Sequence, residues 1–259
     1  MHRKRKHKGF SLAEVLLSVG ILAVGMTFIA GVFPVAIYFA TIATERTIAA
    51  VAADEAFAKV RLYGVNVSSI PTITCVDFSD VPSVPLDPGE LFIFIYPSTD
   101  TEITPRQYRW SALCRRLDPI TRLVQVTVFI SRRTMASGEY WYRTPTDPNL
   151  QTVPEPVPIP VSVSQPGNLD ELWINDFYAD DNVDETTFIN DGCTIVDRET
   201  GQLYRVLERY SNPPNRIILD RIWQGRDLSI IPGWVWVVPP PVNTGRYPCI
   251  AVYQKVIQF

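Results

Sequence analysis

A run of thirty consecutive residues, 10–39, contains a single charged side chain, that of Glu14. The hydrocarbon core of a bilayer is about 30 Å thick, and about 20 helical residues are enough to cross it. A secretory signal peptide also begins with basic residues, but its apolar segment is only about 7 to 15 residues long and is removed. The run is too long for such a peptide. We therefore predict a helix that stays in the chain and anchors it in a membrane.

The segment before this helix is strongly basic. Five of its nine residues carry a positive charge: Arg3, Lys4, Arg5, Lys6 and Lys8. Basic residues that flank a membrane helix tend to remain on the cytoplasmic side. We therefore expect a single-pass membrane protein whose N-terminus is cytoplasmic and whose remaining domains lie on the other side of the membrane.

Glu14 is the unusual residue of the apolar run. A carboxylate inside a membrane helix costs about 2.5 to 3.5 kcal/mol on insertion scales and normally has a partner. If the chain is cut after Gly9, the new amino group of Phe10 lies near the Glu14 carboxylate of the same chain or of a neighbouring subunit. Two opposite charges in a medium of low dielectric then offset each other's desolvation.

The residues around this position resemble the leader of type IV prepilins and of type II secretion pseudopilins. They read Lys8-Gly9-Phe10-Ser11-Leu12-Ala13-Glu14-Val15-Leu16-Leu17. The combination of a short basic leader, a glycine before an aromatic residue and a glutamate at the fifth mature position is specific to this family. The continuation, residues 18–26, looks most similar to the minor pilins called pilus modification proteins.

The resemblance implies a structural subunit without catalytic residues. Prepilin peptidase would cut between Gly9 and Phe10 and methylate Phe10, and Glu14 would act in assembly. The implied partners are other pilins or pseudopilins in a helical filament, the inner-membrane assembly machinery and the lipid bilayer. The sequence leaves open whether the machine is a pilus, a secretion pseudopilus or a DNA-uptake system. The alternative function is a membrane-anchored exported binding protein or enzyme whose activity lies in a C-terminal β domain.

The predicted fold class is α+β, with a long N-terminal helix packed on an antiparallel sheet and a second small all-β domain, a sandwich or a barrel. The predicted segments are a cleaved leader 1–9, a helix 10–63 with its transmembrane half at 10–39, a pilin-like β head 64–144, a proline-rich linker 145–166 and a C-terminal β domain 167–259. In the outer half of the helix, apolar residues recur at steps of three and four. Gly64 ends that pattern. Seven prolines in 145–166 favour an extended segment.

The strand predictions rest on short runs of β-branched and aromatic residues. In the head they are 91–96, 107–114 and 123–131, with a hairpin connection at 115–122. In the C-terminal domain they are 202–207, 216–223, 234–238 and 249–259.

Charge and histidine content exclude several functions. The formal net charge is −3, and the five leader charges leave −8 for the rest of the chain, so nucleic acid is an unlikely partner. The two histidines, His2 and His7, both lie in the leader. A processed chain would therefore lack Ser-His-Asp and Cys-His catalysis and any histidine zinc site. We expect no enzymatic activity.

Four widely spaced cysteines, Cys75, Cys114, Cys193 and Cys249, form no C-x-x-C motif. In an exported domain they predict one or two disulfides. Three pairings are possible, and we prefer Cys75 with Cys114 and Cys193 with Cys249 because each bridge then stays within one predicted domain.

Residues 170–185 contain seven carboxylates. Oxygen-rich loops suit calcium, but this run lacks the spacing of a dedicated calcium loop. A solvated acidic surface is the preferred interpretation, and a calcium site is the alternative. Its candidate ligands are Asp176, Asp180, Asp181 and Asp184. No other cofactor is expected.

Overall fold

A computed structural model describes residues 11–84, 94–97, 108–118, 120–133, 138–144, 149–165, 167–176, 183–242 and 246–259. The chain divides into two compact units, Met1–Thr47 and Ile48–Phe259. Helix α1 spans Leu12–Tyr63. Its residues up to Thr47 lie in the first unit, where Ser11 is the one other described residue, and its last sixteen residues lie in the second unit. We describe each unit by itself.

Helix α1 is 52 residues long and consists mainly of alanine, leucine, valine and isoleucine. Pro34 lies inside it and, lacking a backbone N–H, omits one hydrogen bond of the helical ladder. The helix ends at Gly64, whose φ of 67° is in the left-handed region, and the Gly64 N–H donates to the carbonyl of Val60 at 3.1 Å. This is the glycine C-terminal cap that the sequence predicts.

The second unit contains an antiparallel sheet, which we call the head sheet. Its strands are β1 (Val76–Asp77), β2 (Ile95–Tyr96), β3 (Tyr108–Arg116), β4 (Leu123–Arg132) and β13 (Cys249–Gln258). The order is β1-β3-β4-β13, and β2 also pairs with β3. Strands β3 and β4 form the predicted hairpin, and β4 pairs with β13 along nearly its whole length.

The end of α1 packs on one face of the head sheet. Its buried residues there include three alanines, Ala49, Ala52 and Ala56, together with Phe57 and Val60. From the sheet, Trp110, Ala112, Cys114, Val124, Val126, Val128 and Ile130 face this cluster. Alternate residues of β3 and β4 thus point to the helix, as the two-residue period of a strand requires.

A closed six-stranded barrel forms the other β structure of this unit. Its strands are β7 (Ile159–Ser164), β8 (Glu171–Ile174), β9 (Thr194–Asp197), β10 (Leu203–Arg209), β11 (Arg216–Leu219) and β12 (Gly233–Val237). Their order around the barrel is β10-β11-β8-β7-β12-β9. Strands β5 (Tyr140–Tyr142) and β6 (Gln151–Val153) pair separately. The α+β fold with a second all-β domain is therefore confirmed, and that domain is a barrel.

The barrel packs on the face of the head sheet that is opposite to the helix. A shared buried cluster, which we call the middle cluster, consists of Cys75, Leu113, Phe129, Val196, Trp236 and Val238. Hydrogen bonds accompany it: Cys75 N–H donates to the Arg198 carbonyl at 2.7 Å, and Gln254 Nε2 donates to the Gly201 carbonyl at 2.7 Å. Because both faces of the sheet are covered, β3 and β4 contain continuous buried runs.

Two stretches of chain differ from the sequence prediction. Residues 249–258, which were assigned to the C-terminal domain, form β13 of the head sheet. The barrel is consequently inserted between two neighbouring strands of that sheet. Part of the predicted linker 145–166 is also regular structure, since it contains β6 and β7.

Pro160 shows how a proline-rich segment enters the barrel. It lies opposite Trp236 of β12, whereas β8 pairs with β7 farther along, at Val163 and Ser164. The Pro160 carbonyl accepts hydrogen bonds from the Arg143 side chain instead. A proline is tolerated where no strand needs its missing N–H.

Candidate functional site

The first turn of α1 contains a helix-capping arrangement. The Glu14 N–H lies 3.3 Å from Ser11 Oγ and 3.0 Å from the Ser11 carbonyl oxygen. Ser11 and Glu14 therefore have the spacing of a capping box, with serine at the cap and glutamate three residues later. At that position the partial positive charge of the helix N-terminus stabilises a carboxylate. This stabilisation of Glu14 adds to the predicted pairing with the Phe10 amine. It was not predicted, although the S-x-x-E spacing signals it in the sequence.

The helix that follows is long and apolar enough to cross a membrane, and none of its eighteen most apolar residues is buried. Three hydroxyl side chains of this helix are satisfied by its own backbone. Ser18, Thr27 and Thr41 each donate a hydroxyl hydrogen bond to the carbonyl four residues earlier, at 2.8 to 2.9 Å. Such internal bonds remove the penalty for placing a hydroxyl in lipid.

Small residues leave room on the surface of this helix. A Cβ added to Gly20, Gly25 or Gly31 would meet no atom within 4 Å. Ser18 and Gly25 follow Glu14 by four and eleven residues and lie on the same side of the helix. Close approach between helices in lipid depends on such small residues, because lipid tails are as apolar as leucine. The face that contains Glu14 is therefore suited to contact another helix.

The comparison with known proteins concerns this same segment. The family model described as the prokaryotic N-terminal methylation motif matches residues 4–30. No curated protein and no solved structure matches the chain significantly. The motif, together with the apolar helix, supports a type IV prepilin-like or pseudopilin-like protein. The resemblance found in the sequence is thereby confirmed at that level.

The predicted processing residues Gly9 and Phe10 lie outside the described residues, within the matched motif. Of the predicted site residues in the motif, the structure describes Glu14. The cut between Gly9 and Phe10 and the methylation of Phe10 stay predictions.

The four predicted disulfide cysteines all lie in the described part of the chain and are free thiols there. Val76 is the register partner of Cys114, so Cys75 points to the other face of the head sheet. Cys114 accordingly packs on the helix side and Cys75 in the middle cluster. The preferred bridge between them would have to pass through the sheet, so the strand register disfavours it.

The remaining pair, Cys193 and Cys249, lies near Tyr247. Burial is the largest cause of a raised pKa in both thiols, and it brings the pKa of Cys249 to about 12. A hydrogen bond with the Tyr247 hydroxyl partly lowers the pKa of Cys193 again. The neighbouring Cys193 raises the pKa of Cys249 further. Burial likewise raises the pKa of Cys75 to about 12. Thiols with such pKa values stay protonated at neutral pH and react slowly in disulfide exchange.

The predicted calcium ligands are divided between described and undescribed residues. Asp180 and Asp181 lie outside the described part of the chain. Asp184 caps a short 3-10 helix, Glu185–Phe188, where its Oδ1 accepts hydrogen bonds from the Thr186 N–H and hydroxyl. Asp176 ends the described stretch before the gap. Calcium binding here stays a prediction.

Proposed function

We propose that this protein is a minor pilin or pseudopilin, closest to the pilus modification proteins, and that it acts as a structural subunit without enzymatic activity. Prepilin peptidase cuts it between Gly9 and Phe10 and methylates Phe10. The processed chain resides in the inner membrane with its N-terminus on the cytoplasmic side. The assembly machinery then draws it into a type IV pilus or a type II secretion pseudopilus together with other pilins.

One observation carries this proposal: the methylation motif at residues 4–30 continues into an apolar helix whose single charge is Glu14. A simple membrane anchor needs neither a cleavage site nor an intramembrane carboxylate. The costly Glu14 is instead suited to pair with the methylated amine of Phe10 on a neighbouring subunit.

The insertion of the barrel supports an assembly role over the alternative of a tethered exported enzyme or binding domain. The barrel shares the middle cluster with the head sheet, and the chain returns from it to complete that sheet with β13. An independent domain on a flexible tether has no need of a shared core. We infer that the barrel enlarges the head of the subunit and gives it a distinctive surface.

Mass spectrometry tests the processing step. The intact mass of the protein extracted from membranes of cells with an active prepilin peptidase is expected to lack residues 1–9 and to contain one additional methyl group. A large side chain at Gly9, as in Gly9→Leu, should block the cut. A full-length, unmethylated wild-type chain would contradict the proposal.

Glu14→Ala tests the assembly step separately. The substitution removes a charge from the membrane, so the variant should insert and be cleaved at least as well as the wild type. It leaves the Phe10 amine of a neighbour unpaired in the filament, so it should accumulate as processed monomer and be depleted from crosslinked complexes with other pilins. Ser11→Ala is the matched control, because it weakens the helix cap and keeps the carboxylate. Equal incorporation of Glu14→Ala and wild type would favour the simple anchor.

A further inference from the structure

Strand β13 forms one edge of the head sheet. It pairs with β4 on one side, and no strand in the described part of the chain pairs with it on the other. At ten residues it is as long as β4, which lies inside the sheet. The opposite edge differs, because β1 and β2 have two residues each. Short edge strands limit unwanted strand pairing, and β13 lacks that protection.

The backbone groups of β13 alternate between β4 and the open side. The Phe259 N–H donates to the Arg122 carbonyl at 3.2 Å, directly after the last pair of the ladder, Gln258 with Leu123. In an antiparallel pair, hydrogen-bonded residues alternate with residues whose N–H and C=O point away from the partner strand. The residues whose backbone groups point away from β4 are therefore Val252, Gln254, Val256 and Gln258.

The features that usually protect a sheet edge are absent from residues 251–258 or turned away from the open side. Proline, bulges and outward lysines are common protections. This stretch contains no proline, and the bulge of β13 lies before it. Its one charged residue is Lys255, whose Nζ lies 2.8 Å from Asp54 Oδ1 and 4.6 Å from the centre of the Phe57 ring. The lysine is thus directed to α1 and does not guard the edge.

The side chains of β13 that face the barrel side suit an apolar neighbour. Val252 and Val256 lie on that face, since their partners on β4 are Phe129 and Gln125. Val256 is 54% exposed. The side chain of Gln254, between them, is held over the sheet, because its Nε2 donates to the Thr127 hydroxyl and to the Gly201 carbonyl. A strand beside β13 would therefore meet two valines and a row of backbone donors and acceptors.

A second copy of this chain fits the edge poorly. Two β13 strands that pair antiparallel in one continuous sheet are related by a two-fold axis perpendicular to that sheet. The end of α1 packs on the face of the sheet, so the axis would reverse the direction of α1 in the second copy. Subunits that enter one filament from one membrane share a single helix direction. The edge is therefore suited to a strand from a different subunit.

We propose that β13 accepts an extended strand from another pilin subunit of the same assembly, so that the head sheet continues across the two proteins. The added strand exchanges backbone hydrogen bonds with the outward groups of β13, and its apolar side chains cover Val252 and Val256. In this mode of recognition the main-chain bonds supply the affinity and the side chains supply the specificity. The inference rests on the proposed assembly function and identifies the surface through which the head recognises its neighbour.

Hydrogen exchange resolved to single amides tests this proposal. The processed protein is measured alone in detergent and in crosslinked complexes with other pilins that are purified from membranes. Alone, the amides of Val252 and Val256 should exchange fast and those of Tyr253 and Lys255 slowly, because only the second pair bonds to β4. In the complex, exchange of the outward amides should slow by at least about tenfold, the factor that one backbone hydrogen bond provides.

Val256→Pro removes one outward N–H and keeps the ladder with β4, since proline is tolerated on the open side of an edge strand. Val256→Thr is the matched control, because threonine keeps both the N–H and the β-branched shape. Both variants should be cut, methylated and folded like the wild type, as intact mass and thermal unfolding measure. The proline variant should be depleted at least about tenfold from the crosslinked complexes, and the threonine variant should be retained.

Several results would overturn the proposal. Outward amides that are already protected in the protein alone would show that this chain itself covers the edge. Equal incorporation of Val256→Pro and the wild type, or unchanged exchange of the outward amides in the complex, would show that no strand is added. Protection in a complex of two copies of this chain would show self-pairing instead. Absence of the wild type from every pilin complex would contradict the proposed function itself, and this inference with it.

Discussion

The substitution Glu185→Gln probes a fully buried ion pair inside the second unit. The side chains of Arg143 and Glu185 are exposed by only 1% and 0%, and the guanidinium meets the carboxylate through both terminal nitrogens. One of these contacts, Arg143 Nη2 to Glu185 Oε2, measures 2.8 Å. Arg143 also donates to the Pro160 carbonyl from Nε at 3.0 Å and from Nη2 at 2.6 Å. The pair therefore joins the end of β5, strand β7 and the 3-10 helix that begins at Glu185.

The expected magnitude follows from desolvation. Glutamine has nearly the same shape as glutamate, but it leaves the guanidinium charge of Arg143 buried without its counterion. Breaking a buried pair in this way costs about 3–5 kcal/mol. In a chain of this size 1 kcal/mol corresponds to about 2–4 °C, so the unfolding midpoint should fall by about 6–20 °C. The double variant Arg143→Met with Glu185→Leu removes both charges and should be much less destabilised than the single one.

Thermal unfolding followed by tryptophan fluorescence measures this effect, since the Arg143 guanidinium lies 5.7 Å from the centre of the Trp234 ring. Asp54→Asn is the control, because the ion pair of Asp54 with Lys255 is exposed and worth less than about 1 kcal/mol. A midpoint for Glu185→Gln no lower than that of Asp54→Asn would refute the reasoning. So would a double variant as unstable as the single one.

Two further predictions concern the thiols and the contact between barrel and head sheet. Burial raises the pKa of Cys75 and Cys249 to about 12, whereas the pKa of an unfolded thiol is about 8.5. Between these two pH values the folded state binds more protons than the unfolded state. The free energy of unfolding should therefore fall as the pH rises from about 9 towards 12. Iodoacetamide should accordingly label these thiols much faster in denaturant than in the native protein at pH 8; equally fast labelling would contradict the burial. Gly201→Ala should destabilise by about 1–3 kcal/mol because Gly201 has φ of 68° and its added Cβ would lie 2.9 Å from Gln125 Oε1. Gly192→Ala is the control, because Gly192 has a φ of 78° but an added Cβ there would meet no atom within 4 Å, so only the backbone strain contributes to its destabilisation. Equal melting midpoints for the two variants would contradict a steric contribution at Gly201.

Local pattern was sufficient for much of the fold. The apolar run and the glycine at position 64 predicted α1 and its end, and β-branched runs predicted β3, β4, β10 and β12 to within one or two residues. These elements carry their own signals, since helix periodicity, helix caps and β-branched content depend on residues close in sequence. The methylation motif is also a contiguous segment, and for that reason the sequence alone identified the prepilin-like N-terminus.

The short strands β8 and β9 and the proline-containing β7 escaped prediction. Each of these strands is stabilised mainly by strands distant in sequence. The residues around them are acidic or rich in proline, and such a local sequence taken by itself indicates a loop or a linker. The closed barrel supplies the pairing that offsets these poor local propensities.

Tertiary structure decided which strands belong together and which charges are paired. The segment 249–258 has the same strand pattern whether it closes a barrel or joins the head sheet, and its pairing with β4 is a long-range contact that its own residues do not specify. The burial of Arg143 against Glu185 likewise depends on a chain return across tens of residues. Local residues thus determined the long apolar helix, the methylation motif and most of the longer strands. Packing determined the insertion of the barrel and the faces of the cysteines, because these depend on which distant surfaces exclude water together.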